Sequence, residues 1–167
     1  YDRVRWEEKQ LFKAAKARSL DVKVVDSRKE YFCTSENSGK SEEMFGQVAL
    51  LRCISYFRGL HIAAILEREG IEVINPFQVS LVCGNKLFTT LSLEKAGVST
   101  PKTMLAFHLE SVLNALKEIG YPAVLKPVYG SWGRLMAILS DEQTTKSIVE
   151  MREEMNNPLL HIYYVQK

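Results

Sequence analysis

Residues 124–136, VLKPVYGSWGRLM, decide how the chain is read. An apolar run leads into Lys126 and Pro127 follows at once. Gly130 and Gly133 then bracket Ser131 and Trp132, and from Arg134 a second apolar run, RLMAIL, begins. Two strands joined through glycines ordinarily mean a hairpin turn, with the lysine a solvated surface residue. The flanks of Lys126 argue for a second reading. AVLKPV is apolar on both sides of the ammonium, which puts a charge at a strand edge where it has no structural use. Glycines at 130 and 133 permit backbone conformations in which N–H groups converge on an anion, and Ser131 adds a hydroxyl donor. A lysine beside such a loop is a phosphate-binding combination. It is not the Walker pattern, whose loop opens a helix, and it is not G-x-G-x-x-G.

Working outward, strands and helices alternate along the chain, the signature of an α/β architecture. Residues 6–18 read as a helix on which Trp6, Leu11, Phe12, Ala14 and Ala15 share a face; Glu7 and Glu8 near its start and Lys16 and Arg18 near its end suit the macrodipole. DVKVVD, at 21–26, alternates like a strand, and residues 28–47, with a polar cluster at 34–43, read mostly as loop. QVALLRCI is a strand, RGLHIAAILEREG a helix closed by Gly70, and IEVINP a strand stopped by Pro76. Residues 77–97 form one or two helices. TPKTMLAF is then a strand, LESVLNALKEIG a helix, PAVLKPV and RLMAIL the two strands around the glycine loop, and residues 140–157 a helix. Ser140 followed by Gln143 has the spacing of a capping box. LLHIYYVQK is a last strand. A boundary is expected at residues 76–86, dividing a domain at 1–84 from one at 85–167.

Composition excludes several classes. The 167 residues are 46% hydrophobic and 25% charged, as in an ordinary globular chain, and 22 basic against 20 acidic residues give a net charge of +2, which points to neither nucleic acid nor a membrane surface. No apolar run nears the roughly 18 residues of a membrane helix, and the opening YDRVRWEEKQ is no signal peptide. Cys33, Cys53 and Cys83 are too widely spaced for a CxxC pair and fit free thiols in a reducing cytoplasm. His61, His108 and His161 have no ligand-spaced neighbour.

The lysine, the glycine loop and their order resemble the ATP-grasp carboxylate–amine ligases. In that fold a strand-borne lysine and a flexible glycine loop between two strands cover the nucleotide phosphates. YDR at the start, RCISYFRGL at 52–60, INPFQVSLVCGNKLFTTLSLEKAGVSTPKT at 74–103, GYPAVLKPVYGSWGRLMA at 120–137 and IYYVQK at the end run in the order of one branch. That branch attaches α-aminoadipate, or glutamate, to the C-terminal glutamate of an acidic amino-group carrier protein in lysine and arginine biosynthesis. The ribosomal-protein glutamate ligase is a close cousin. The resemblance implies a Rossmann-like N-terminal domain, then the central part of an ATP-grasp domain. It also implies ATP and Mg²⁺ as cofactors, an acidic carrier and a small amino acid as partners, and a cytoplasmic setting; homo-oligomerisation stays open.

By the same resemblance, Lys86 and Lys126 reach the ATP phosphates, although Lys86 also reads as a solvated helix residue. Gly130, Ser131, Trp132, Gly133 and Arg134 form the phosphate loop, with a strand-end core position the other reading of Trp132. Gln166 and Lys167 begin the hinge whose backbone reads the adenine edge. Relatives commonly carry Gln-Glu there, so Lys167 departs from the pattern. Arg52, Ser55, Arg58 and Gly59 line the wall toward amino acid or carrier, where guanidinium forks match carboxylates; solvated loop charges are the other reading. Asp2 and Arg3 lie where open α/β sheets place ligands. The magnesium carboxylates and the acyl-phosphate arginine of the family follow the hinge, so no metal ligand and no catalytic residue is named here. The chain reads as truncated at both ends and inactive alone. The rival reading is a non-catalytic nucleotide-binding or regulatory Rossmann-like module.

Overall fold

The structure, a computed structural model, describes residues 1–34 and 40–167. The chain divides into two compact units, Tyr1–Leu81 and Val82–Lys167.

The first unit runs α1 (Trp6–Ala17), α2 (Lys40–Phe45), β1 (Val48–Leu50), α3 (Tyr56–Arg68), β2 (Glu72–Ile74) and into α4 (Phe77–Gly84). β1 and β2 are parallel, with Ala49 opposite Val73, and α3 crosses between them as a βαβ unit. The helix starts where the Ser55 hydroxyl accepts from the Arg58 N–H, 3.4 Å away. Its apolar face, Leu60, Ile62, Ala63 and Leu66, is buried. Ile62, Ala63 and Leu66 make a core with Ala49, Ile71 and Val73, against which Phe32, Phe45, Leu51 and Phe77 pack. Leu66 is fully buried, which alone contributes about 1.5–3 kcal/mol.

Two expectations for this unit need correction. Residues 21–26 form no strand. At the end of this stretch the Tyr1 ammonium donates to the Val25 carbonyl (3.1 Å) and the Tyr1 carbonyl accepts from Ser27 N–H (2.9 Å); two bonds to one residue do not make a strand. Within the supposed loop, residues 40–45 are helical. Phe45 at the end of that helix stacks on Phe32, 5.7 Å between centroids, so tertiary packing outweighs a weak local pattern. The rest of the polar cluster, residues 35–39, lies outside the described residues. α1 forms where the periodicity put it, and none of its residues is fully buried; Trp6 is 70% exposed.

In the second unit Asn85 separates α4 from α5 (Lys86–Lys95), because its side-chain oxygen accepts from Leu87 N–H (2.9 Å) and restarts the helix. There follow β3 (Thr103–Ala106), α6 (Leu109–Ile119), β4 (Ala123–Lys126), β5 (Ala137–Leu139), α7 (Glu142–Glu153), a 3₁₀ turn (Pro158–His161) and β6 (Tyr163–Gln166). The last strand is therefore shorter than its apolar run. The cap of α7 is Asp141, whose carboxylate accepts from Thr144 N–H at 2.7 Å, and not Ser140 as the spacing suggested. The sheet order is β3-β6-β4-β5, antiparallel throughout. Alternation gives this sheet two different faces. Ala123, Leu125, Tyr163, Val165 and Ala106 point into a core closed by Val112, Leu116 and Ile119 of α6 and Val149 of α7. The register puts Val124, Lys126, Tyr164, Gln166, Thr103 and Ile138 on the opposite face, where Ile138 is 65% exposed.

Candidate functional site

Lys126 ends β4, half-buried on the face of the sheet that carries Tyr164 and Gln166, and Lys86 opens α5. Burial first, and then repulsion from the Lys126 ammonium, push the Lys86 ammonium below the ordinary lysine range. Neither ammonium has an ion-pair partner among the described residues, an arrangement that can attract a polyanion. Lys86 also grips the glycine loop. Its main-chain N–H donates to the Val128 carbonyl (2.9 Å) and its Nζ donates to the Gly130 carbonyl (2.8 Å).

Lys126 is oriented by a network. Its Nζ donates to the Gln166 side-chain oxygen. The Gln166 amide donates in turn to Thr103 Oγ1 (3.0 Å) and to the Tyr164 hydroxyl (3.1 Å), and that hydroxyl bonds Thr90 Oγ1 of α5 (2.8 Å). Gln166, Tyr164 and Thr90 are buried, so the Gln166–Tyr164 and Tyr164–Thr90 bonds are made away from water and a missing partner there would be costly, whereas the bonds of Gln166 to Lys126 and Thr103 are half-buried. The network ties the strand carrying Lys126 to the helix carrying Lys86. Sequence reasoning missed Tyr164, Thr90 and Thr103. The one legible signal was the i, i+2 spacing of Tyr164 and Gln166, which puts both on one face of β6.

The loop between β4 and β5 is held in unusual backbone states. Gly130 (φ 132°) and Gly133 (φ 66°) use the freedom glycine alone has, and Trp132 (φ 64°) and Leu135 (φ 58°) occupy the left-handed region without it. Trp132 is 90% exposed, which overturns its reading as a strand-end core residue. Ser131 and Arg134 are exposed, and the Arg134 N–H reaches the Ser131 carbonyl at 3.4 Å. Lys167 turns away from this face. Its Nζ donates to the carbonyls of Gly120 and Tyr121, both at 3.3 Å, at the C-terminal end of α6, where a cation suits the helix dipole. Its N–H is also used, by the Lys102 carbonyl (3.0 Å).

The residues assigned to the substrate wall lie in the first unit, and most are engaged. The Asp2 carboxylate accepts from Ser27 Oγ (2.7 Å), from the N–H groups of Ile54 (3.0 Å) and Ser55 (3.1 Å), and from the Arg58 guanidinium (2.7 Å). Burial would raise its pKa, but these bonds outweigh burial and hold it well below the usual carboxylate range. Arg52 donates to Glu8 (2.9 Å). Glu8 is held at about 2, first by its bond from Arg5 against the opposing effect of burial. Ser55 caps α3 and Gly59 lies in that helix against Cys53; a Cβ there would meet the Cys53 Cβ at 3.4 Å. Arg3 is exposed.

The arrangement can attract an anion by its charges. It does not fit a metal ion by itself, since no three His, Cys, Asp or Glu side chains converge among the described residues. No helix among them is long and apolar enough to cross a membrane.

Residues 83–167 match the RimK-like ATP-grasp domain, and residues 1–82 match the LysX preATP-grasp domain. The chain is 34% identical to the glutamate–LysW ligase ArgX of Sulfurisphaera tokodaii, over 99% of this chain and 57% of that one. It is 34% identical to the α-aminoadipate–LysW ligase LysX of the same organism, over 100% of this chain and 58% of the relative. A crystal structure of a RimK domain ATP-grasp protein from Sphaerobacter thermophilus superposes with a TM-score of 0.83 at 27% identity, covering 100% of this chain and 61% of that one. The chain thus spans a little over half the length of the curated relatives it matches.

Proposed function

The chain belongs to the RimK-like ATP-grasp family, and on that premise we propose that the full-length protein is an ATP-dependent carboxylate–amine ligase acting on an amino-group carrier protein. The carrier's C-terminal glutamate is the acceptor, the amine comes from α-aminoadipate or glutamate, and the reaction belongs to lysine or arginine biosynthesis in the cytoplasm. The similarity to ligases that act on LysW supports this reading. A carboxylate is a poor acylating agent. Phosphoryl transfer to it gives an acyl phosphate, the amine attacks that carbonyl, and phosphate leaves; the products are an amide, ADP and phosphate.

The observation that carries the reading is the pair of lysines. Lys86 bonds the glycine loop at the Gly130 carbonyl, and neither it nor Lys126 has an ion-pair partner among the described residues. In the proposed role they neutralise ATP phosphates, and residues 130–134 cover them. Catalysis of this kind is mostly positioning and charge neutralisation. Mg²⁺ accompanies ATP across the family, and the described residues offer it no ligand set. With the Lys167 N–H already bonded, adenine is read at 166–167 through carbonyl oxygens, which suit its exocyclic amine. Exposed Arg3 and the half-exposed guanidinium groups of Arg52 and Arg58 are assigned to substrate or carrier carboxylates. Asp2, Ser55 and Gly59 shape the segment that bears Arg52 and Arg58.

Calorimetric titration of the full-length protein with a non-hydrolysable ATP analogue, for wild type and K126M, tests the reading. The wild type is expected to bind and K126M to bind about ten- to a hundred-fold more weakly, the value of one charge-assisted bond. Equal affinities would overturn the assignment of the lysine, and absence of wild-type binding would overturn the activity.

A further inference from the structure

Arg152 is the residue whose placement the proposed function does not use. Three side chains form the buried stripe of α7: Thr145, Val149 and Arg152. At that spacing an apolar residue is expected at each position. Instead the third is a guanidinium, 3% exposed, whose charge burial disfavours. Arg152 has no carboxylate partner among the described residues. Its Nη2 donates to the main-chain carbonyl of Leu135, and its Nη1 is buried without a partner among the described residues.

Leu135 is the last left-handed residue of the glycine loop, at φ 58°. A non-glycine residue holds that conformation only where its surroundings impose it. The carbonyl it turns inward is the one Arg152 takes. At the other end of the loop, the Gly130 carbonyl is taken by Lys86. The two anchors differ in kind. Lys86 is a group assigned to the phosphates, so its contact with the loop competes with nucleotide. Arg152 is buried and is not a group assigned to the phosphates.

We infer that Arg152 is a positioning residue for nucleotide binding: from the core it fixes the exit of the phosphate loop at Leu135, so that the loop closes from a set point. This rests on the reading of residues 130–134 as the phosphate loop. The orphaned Nη1 is a second donor for a loop carbonyl in the closed state.

The experiment compares full-length wild type, R152M and R152K, by steady-state kinetics in ATP and in the amino-acid substrate and by amide exchange at residues 130–137. R152M is expected to raise the KM for ATP about ten-fold or more, the order of one lost charge-assisted bond, leaving the KM for the amino acid unchanged. R152K, which can still reach the carbonyl, should recover much of the loss. Exchange at 134–137 should rise in R152M even without nucleotide. If R152M does not fold, R152K and R152Q carry the comparison, since both keep a donor and both should then retain slow exchange at 134–137. A lowered melting temperature with unchanged KM for ATP and unchanged loop exchange would make Arg152 a core residue only and overturn the inference. The nucleotide-free exchange arm separates the two failures. Faster exchange in R152M, with no nucleotide effect in the wild type, would uphold the anchor and sink the phosphate reading instead.

Discussion

The Lys126 ammonium bonds the side-chain oxygen of Gln166, a residue 40 positions later on the neighbouring strand, and so arrives at its site already aimed. A lysine on four rotatable bonds loses conformational freedom when it binds phosphate; holding it beforehand lowers that cost.

Replacing Gln166 by Leu should therefore weaken ATP without touching any atom that contacts it. One neutral bond to a charged group is removed, and the Thr103 and Tyr164 partners lose their donor, so affinity should fall about three- to ten-fold. Titration calorimetry on the full-length protein checks this. Unchanged affinity would mean that Lys126 finds its own position.

Replacing Lys126 itself by Met keeps much of the stem and deletes the charge. The melting temperature should change little, because the ammonium contributes one bond at a half-buried strand end. Turnover should fall by more than ATP affinity does, provided the lysine also stabilises charge in transfer. A melting curve beside single-turnover kinetics separates these; a large thermal loss with intact affinity would make Lys126 structural.

Much of this site was legible in the sequence, for identifiable reasons. Apolar flanks isolated Lys126, and glycines at 130 and 133 marked a loop that now shows positive φ at both. The helix expected in LESVLNALKEIG is α6. What was illegible depends on partners distant in the chain. Nothing near Gln166 says that register places it opposite Thr103 and Val124. Nothing near Asp2 says that the N–H groups of residues 54 and 55 converge on it, which makes it the organiser of that turn. The strand expected at 21–26 failed because alternation reports amphipathicity and not the presence of a pairing partner. The helix at 40–45 was missed because six residues are too few to show a period.

Asp2 gives a prediction about stability. Asp2→Asn would set an amide nitrogen among donors, Arg58 and two N–H groups, in a position 6% exposed. The expected loss is about 2–3 kcal/mol. The sign with pH follows from its lowered pKa. The wild-type advantage is complete above the unfolded carboxylate value of 3.8 and disappears as pH falls toward the folded value. Denaturant melts of both proteins from neutral to acid pH should converge at the acid end; parallel curves would mean that the carboxylate charge is not what stabilises the turn.

The last prediction concerns Lys86 and protons. In the nucleotide-free protein its pKa lies below the ordinary lysine value of 10.5, through burial first and the Lys126 charge second. Phosphate oxygens would add negative charge beside it and raise the pKa again. The bound state then holds its proton more tightly than the free state, so affinity is fully present below the free-state pKa and falls as pH rises through the alkaline window between the two. Binding should take up protons there and not at neutral pH. Titration with an ATP analogue in buffers of different ionisation enthalpy, repeated at neutral and alkaline pH, measures that uptake directly. K86R, which stays charged throughout, should bind without it. Uptake that persists in K86R would assign the linkage to another group, and no uptake in the wild type would mean that nucleotide leaves the Lys86 ammonium on the Gly130 carbonyl, where the free protein holds it.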